Sequence, residues 1–114
     1  MVLSQDQNSR LALIGPFLLK VMSHLNSYDD RSLNLSDMNH IENGRTCSTQ
    51  INKIGLSKGL DRLIYVNPAQ GNHVSPGVMM KAVEAIVGAV FLDSDHNIEI
   101  TRKVAAQIGF FDIQ

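Results

Sequence analysis

Val78-Met79-Met80-Lys81-Ala82-Val83-Glu84-Ala85-Ile86-Val87-Gly88-Ala89-Val90-Phe91-Leu92-Asp93 is the stretch whose reading decides the fold. Between Val78 and Leu92 it holds no proline, and its charged residues are Lys81 and Glu84. Val78, Met79, Ala82, Val83, Ile86, Val87, Ala89, Val90 and Phe91 place apolar groups on most sides of a helix. A helix that is apolar nearly all round belongs in the middle of a protein. Ser75 is the residue type that caps a helix start, and Pro76 suits the first turn. The spacing predicts a buried central helix here.

Working outward, Asn8 to Leu25 carries Leu11, Ile14, Leu18, Val21, Met22 and Leu25 at spacings of three and four, which predicts one apolar helical face. Gly15-Pro16 interrupts it. A proline inside a helix removes a hydrogen bond and crowds the preceding turn, at a cost of about 3 kcal/mol. Either one helix kinks there, or a turn ends near Ile14 and a new helix starts at Pro16. Asn26 to Asp30 reads as a turn. A weaker helix is expected from Ser32 to Ile41, with Leu35, Met38 and Ile41 as its stripe and Glu42-Asn43-Gly44 as its end. Ser48 is the expected cap of a third helix reaching Leu56, with Ile51, Ile54 and Leu56 inward. Leu60 to Val66 is apolar but of ambiguous type, and Asn67 to Asn72 reads as a loop. Beyond the central stretch, Asp95 is the expected cap of a last helix from about Asn97 to Ile108, closed by Gly109. No alternating pattern is long enough to argue for a sheet. The fold class is all-α, a bundle of about five to seven helices.

With 114 residues, the chain is expected to form one domain spanning 1–114. Apolar residues at 44% supply a core, and charged residues at 18% are too few for a disordered chain. The formal net charge of −1 lacks the basic excess of a dedicated nucleic-acid binder. Any RNA binding should therefore be weak and vanish at moderate salt. A single cysteine, Cys47, fits a reducing compartment, and its expected state is a buried inert thiol. Neither a signal peptide nor a membrane span is legible. The expected location is intracellular and soluble.

Three segments carry a resemblance. Asn8-Ser9-Arg10-Leu11-Ala12-Leu13-Ile14-Gly15-Pro16-Phe17-Leu18-Leu19 resembles the RNase III signature Glu-x-Leu-Glu-Phe-Leu-Gly-Asp-x-x-Leu. The Val78 to Asp93 stretch resembles that family's Ala-Asp-x-x-Glu-Ala-x-x-Gly-Ala-x-x-x-Asp helix. Cys47 to Gly55 is similar to the Ser-Asn-x-x-Leu-Ala-x-Ile-Gly run between them. The resemblance covers nearly the whole chain. The family's usual helix ahead of the signature has no counterpart, and neither does the double-stranded RNA-binding domain that many members carry.

The resemblance implies a site of four carboxylates holding divalent metal, usually magnesium, which activates water against a phosphodiester. In this chain those positions fall at Ala12, Pro16, Lys81 and Glu84, and only Glu84 is a carboxylate. A further signature glutamate falls at Ser9. No intact catalytic set is expected, and no metal or cofactor with it. Lys81 and Glu84 stand three apart on one helix, so an ion pair between them is expected. The resemblance also implies a two-fold homodimer, with Ser9, Leu13 and Phe17 at its interface.

Other polar groups read more plainly. His24, His40, His73 and His96 lack ligand spacing and are expected to be solvated or structural. Asp93, Asp95 and His96 fit a helix junction better than a metal cluster. Lys53, Lys58, Arg62, Arg102 and Lys103 are dispersed, as on a solvated face. The expected function is a catalytically inactive RNase III-like homodimer with a structural or regulatory role in RNA processing. Its partners would be RNA, bound weakly, or an active RNase III-type nuclease, and no membrane. The competing expectations are two. One is a divergent magnesium-dependent double-stranded RNA endoribonuclease that draws ligands from Asp93 or Glu42. The other is a ribosome-associated structural protein.

Overall fold

The structure, a computed structural model, describes residues 5–60 and 75–110. Among them are five α-helices and no strands: α1 (Gln5–Tyr28), α2 (Leu35–Thr46), α3 (Ser48–Ser57), α4 (Pro76–Asp93) and α5 (Ile98–Ile108). The all-helical expectation is met. The readings of Leu60 to Val66, Asn67 to Asn72, Arg62 and His73 fall wholly or largely outside the described residues.

Helix α4 forms as its sequence predicts. The Ser75 hydroxyl accepts from the Val78 N–H at 3.3 Å, and Pro76 occupies the first turn. Met79, Val83, Ala85 and Val87 are buried along it. The burial is less complete than expected: Val78 and Leu92, near the two ends, are exposed, and Ala82, Ile86, Ala89, Val90 and Phe91 are half-buried. Helix α1 packs most extensively on α4, α3 and α5 also pack on α4, and α2 lies against α1 and α3. The core is Leu18, Leu19 and Met22 of α1, Ile51 and Ile54 of α3, the α4 residues, Ala105 and Phe110.

Pro16 neither ends α1 nor starts a second helix, because α1 is one element through it. It also runs on to Tyr28, so the turn expected from Asn26 begins only at Asp29. The buried face of α1 is rotated from the expected one. Gly15, Leu18, Leu19, Met22, Ser23 and Ser27 point inward, whereas Val21 and Leu25 are each 49% exposed. Small polar Ser23 is tolerated inside because the Arg45 guanidinium donates to its hydroxyl at 3.2 Å.

Helix α2 starts later and ends later than expected. Asn34 and Asp37 form a reciprocal capping box, the Asn34 side chain accepting from the Asp37 N–H at 2.8 Å and the Asp37 carboxylate accepting from the Asn34 N–H at 3.0 Å. Gly44 is carried through inside the helix. Leu35, expected inward, is 79% exposed, whereas Glu42, expected at the helix end, is buried and accepts from the Thr46 hydroxyl at 3.0 Å. Ser48 is the first helical residue of α3 rather than its cap, which is Cys47. Cys47 is exposed, contrary to expectation, since a cap position stands outside the packed face. Leu56 is half exposed, and Gly55 takes the inward position.

Asp95 is not the cap of α5. Asp95 and His96 both have left-handed backbone, φ 61° and 62°, and turn the chain back from α4. The cap is Asn97, whose side chain accepts from the Ile100 N–H at 3.0 Å. Gly109, with φ 123°, closes α5 as expected, and the Phe110 N–H reaches back to the Ala105 carbonyl at 3.0 Å, which seats the Phe110 ring in the core.

Candidate functional site

The close approach of α1 and α4 determines what their shared surface offers. A Cβ at Gly88 would stand 2.6 Å from the Leu11 carbonyl oxygen. A Cβ at Gly15 would overlap the Glu84 carbonyl. Both glycines are therefore required by backbone contact, one on each helix, and the two crossings lock the register of α1 on α4. That register sets Ala12 and Leu13 beside Lys81 and Glu84.

Two grooves open along this seam, and Leu13 lines both. The first, of about 440 Å3, is lined by Ser9, Arg10, Ala12, Leu13, Gly77, Met80, Lys81 and Glu84. The second, of about 520 Å3, is lined by Leu13, Ile14, Phe17, Leu18, Val21, Phe91, His96 and Ile98, and is almost wholly apolar. Leu13 is 70% exposed and Phe17 is 73% exposed. With Val21, Leu25 and Tyr28 they make a run of exposed apolar residues on α1. Apolar groups so placed are the ordinary mark of a surface that meets another protein.

Glu84 is the unusual group of the first groove. It is only 7% exposed, and no hydrogen bond or ion pair reaches its side chain from the described residues. Removal from water pushes its pKa above the ordinary glutamate value, with no neighbouring charge to offset the effect. The expected Lys81–Glu84 pair is absent. Lys81 is exposed, while the Glu84 backbone is held against Gly15 in the seam and its side chain is buried. An exposed lysine gains little from such a pair, because ordering its long side chain offsets a weak attraction.

Of the positions singled out in the sequence, the structure brings Ser9, Ala12, Lys81 and Glu84 to one groove and leaves Pro16 out of its lining. Leu13 and Phe17 come together on the second groove. Asp93 closes α4 nine residues beyond Glu84, a rise of about 13 Å, so the two cannot share one metal. Among the described residues, no three of His, Cys, Asp and Glu are grouped to hold a metal ion. Also among them, no helix is long and apolar enough to cross a membrane.

Sequence reading missed Arg10 at the first groove and Phe91 with His96 at the second. The rings of Phe91 and His96 meet edge to face, centroids 5.3 Å apart. The left-handed pair Asp95–His96 folds His96 back onto Phe91, and nothing in the spacing of these residues signals that turn. Arg10 was legible, since it stands three residues before Leu13 on the same face of α1. Comparison of the chain with family models, with curated proteins and with solved structures found no match.

Proposed function

We propose that this chain is an RNase III-like protein that no longer cuts RNA and works as a two-fold homodimer, with a structural or regulatory role in RNA processing inside the cell. The donor set of the Glu84 groove carries this reading. Where the resemblance implies four carboxylates, the groove offers Glu84 alone, beside the methyl of Ala12 and the ammonium of Lys81. Pro16, at the remaining position, has no side-chain oxygen. Magnesium is held by several hard oxygen ligands, and one carboxylate in a groove also lined by Arg10 and Lys81 does not supply them.

The dimer is supported by the second groove. Leu13 and Phe17 are large, apolar and mostly in water, next to an apolar hollow. A two-fold interface needs a patch that fits its own copy, and a protruding ring beside a hollow meets that need.

The decisive experiment is cleavage of long double-stranded RNA with magnesium or manganese. No cutting is expected. Cutting that Glu84→Ala abolishes would establish the divergent nuclease instead. Filter binding at low salt should give weak RNA retention that disappears at moderate salt. Co-sedimentation of the chain with ribosomal subunits, without a free dimer, would favour the ribosome-associated reading.

A further inference from the structure

We propose that Glu84 receives its counter-charge from outside the protomer: Lys20 of a second copy of this chain lies over the groove and pairs with the Glu84 carboxylate. The inference rests on the dimer reading above and adds the residue that the second copy contributes.

Glu84 is a buried residue whose carboxylate opens only into the groove and meets no partner among the described residues, and a carboxylate partly removed from water gains from a counter-charge. The cations of its own protomer do not reach it, although Arg10 and Lys81 both line the groove. The groove walls supplied by Ala12, Leu13 and Met80 are apolar, which suits the methylene stem of an entering lysine.

The second copy follows from the face of α1. Arg10, Leu13, Phe17 and Lys20 recur at spacings of three, four and three, so they share one side of the helix, and all four are exposed. In a two-fold pairing of antiparallel α1 helices centred between Leu13 and Phe17, Leu13 of one copy meets Phe17 of the other. The same operation sets Lys20 of the second copy opposite Arg10, which lines the groove above Glu84. Lys20 and Arg10 alone would repel each other there. With Glu84 between them the three groups form a network with one negative centre, and the dimer holds it twice.

A double-mutant cycle read by sedimentation equilibrium tests the pairing. Lys20→Met keeps most of the stem and removes the charge, and Glu84→Gln keeps the shape. Each alone should weaken the dimer about tenfold, and the two together should also weaken it about tenfold rather than a hundredfold. Lys20 is exposed, so Lys20→Glu should leave the fold intact by circular dichroism while loosening the dimer further. Independent effects in the cycle, or a dimer indifferent to Lys20→Met and Lys20→Glu, would overturn the pairing and leave the dimer reading standing. A wild-type chain that stays monomeric at every concentration would overturn both.

Discussion

Gly88 and Leu11 touch through their backbones: a methyl group placed on Gly88 would stand 2.6 Å from the Leu11 carbonyl oxygen. No side chain intervenes that could rotate aside. Gly88→Ala must therefore push α1 and α4 apart along their main contact. The expected loss is about 2 kcal/mol or more, in the range of overpacked cores. Gly44 is the control. It is inside α2, and a Cβ there would meet nothing within 4 Å. Gly44→Ala should stabilise by about 0.5–1 kcal/mol, since glycine is a poor helix former. Urea unfolding of the two variants should give shifts of opposite sign.

Pro16 presents a different balance. It lies within the continuous α1 and leaves the Ala12 carbonyl without its helical N–H donor. Pro16→Ala restores that donor but also frees the unfolded chain, which works the other way. The restored bond and relieved crowding should prevail, for a net gain of about 1–2 kcal/mol. A fall in the denaturation midpoint would show that the proline ring has packing value in the seam.

The elements legible in the sequence were those with one strong signal. Val78 to Leu92 is apolar on most sides, and Ser75 and Pro76 mark its start, so the position of α4 was readable; its burial was readable only in part, because Met79, Val83 and Val87 are buried while Val78 and Leu92 are exposed. The faces of α1 and α2 were not. Val21 and Leu25 fit an inward stripe by spacing, yet Leu19, Ser23 and Gly15 took it, because the Gly15–Glu84 backbone contact fixes the rotation of α1. On α2, Leu35 at the first turn is exposed while Glu42, two turns on, is buried, its carboxylate being satisfied locally by Thr46. As for the site, the grouping of Ala12, Lys81 and Glu84 was legible through the two motifs. The failure of Lys81 to pair was not, since helical spacing permits a contact without making it favourable.

Glu84 makes the stability of the monomer depend on pH in a stated direction. Burial raises its pKa in the folded state above the ordinary value of 4.5. Between that value and the raised one, the folded chain binds a proton that the unfolded chain does not. Stability therefore falls as pH rises through this window, and the loss persists above it. Glu84→Gln, which carries no charge, should be more stable than wild type at neutral pH. The difference should close as pH falls toward 4.5. Thermal melts at concentrations too low for dimer formation give the comparison, and a gap of constant size would refute the desolvation account.

Phe17 separates folding from assembly. It is 73% exposed in the protomer, so Phe17→Glu removes little native packing. The protomer's stability should change by no more than about 0.5 kcal/mol. In the proposed two-fold contact the same substitution places a charge against an apolar surface, so light scattering should give wild type a dimer mass and Phe17→Glu a monomer mass at the same concentration. Equal dimer mass for both proteins would move the interface away from this face of α1.

Introducing the carboxylates that the resemblance implies tests the resemblance itself. Ala12→Glu, Pro16→Asp and Lys81→Asp together would place four acidic groups with Glu84 on α1 and α4, changing the sum over these four positions from zero to −4. In the absence of divalent metal this variant should be less stable than wild type, because like charges converge on one groove. Magnesium or manganese should then raise its melting temperature in a concentration-dependent way, as any ligand bound only by the folded state does. Wild type should show no such shift. A variant that folds but ignores both metals would mean that the geometry of α1 on α4 is not that of a four-carboxylate site. The RNase III-like reading would then lose its basis. Cutting of double-stranded RNA by the variant would be the strongest support for it.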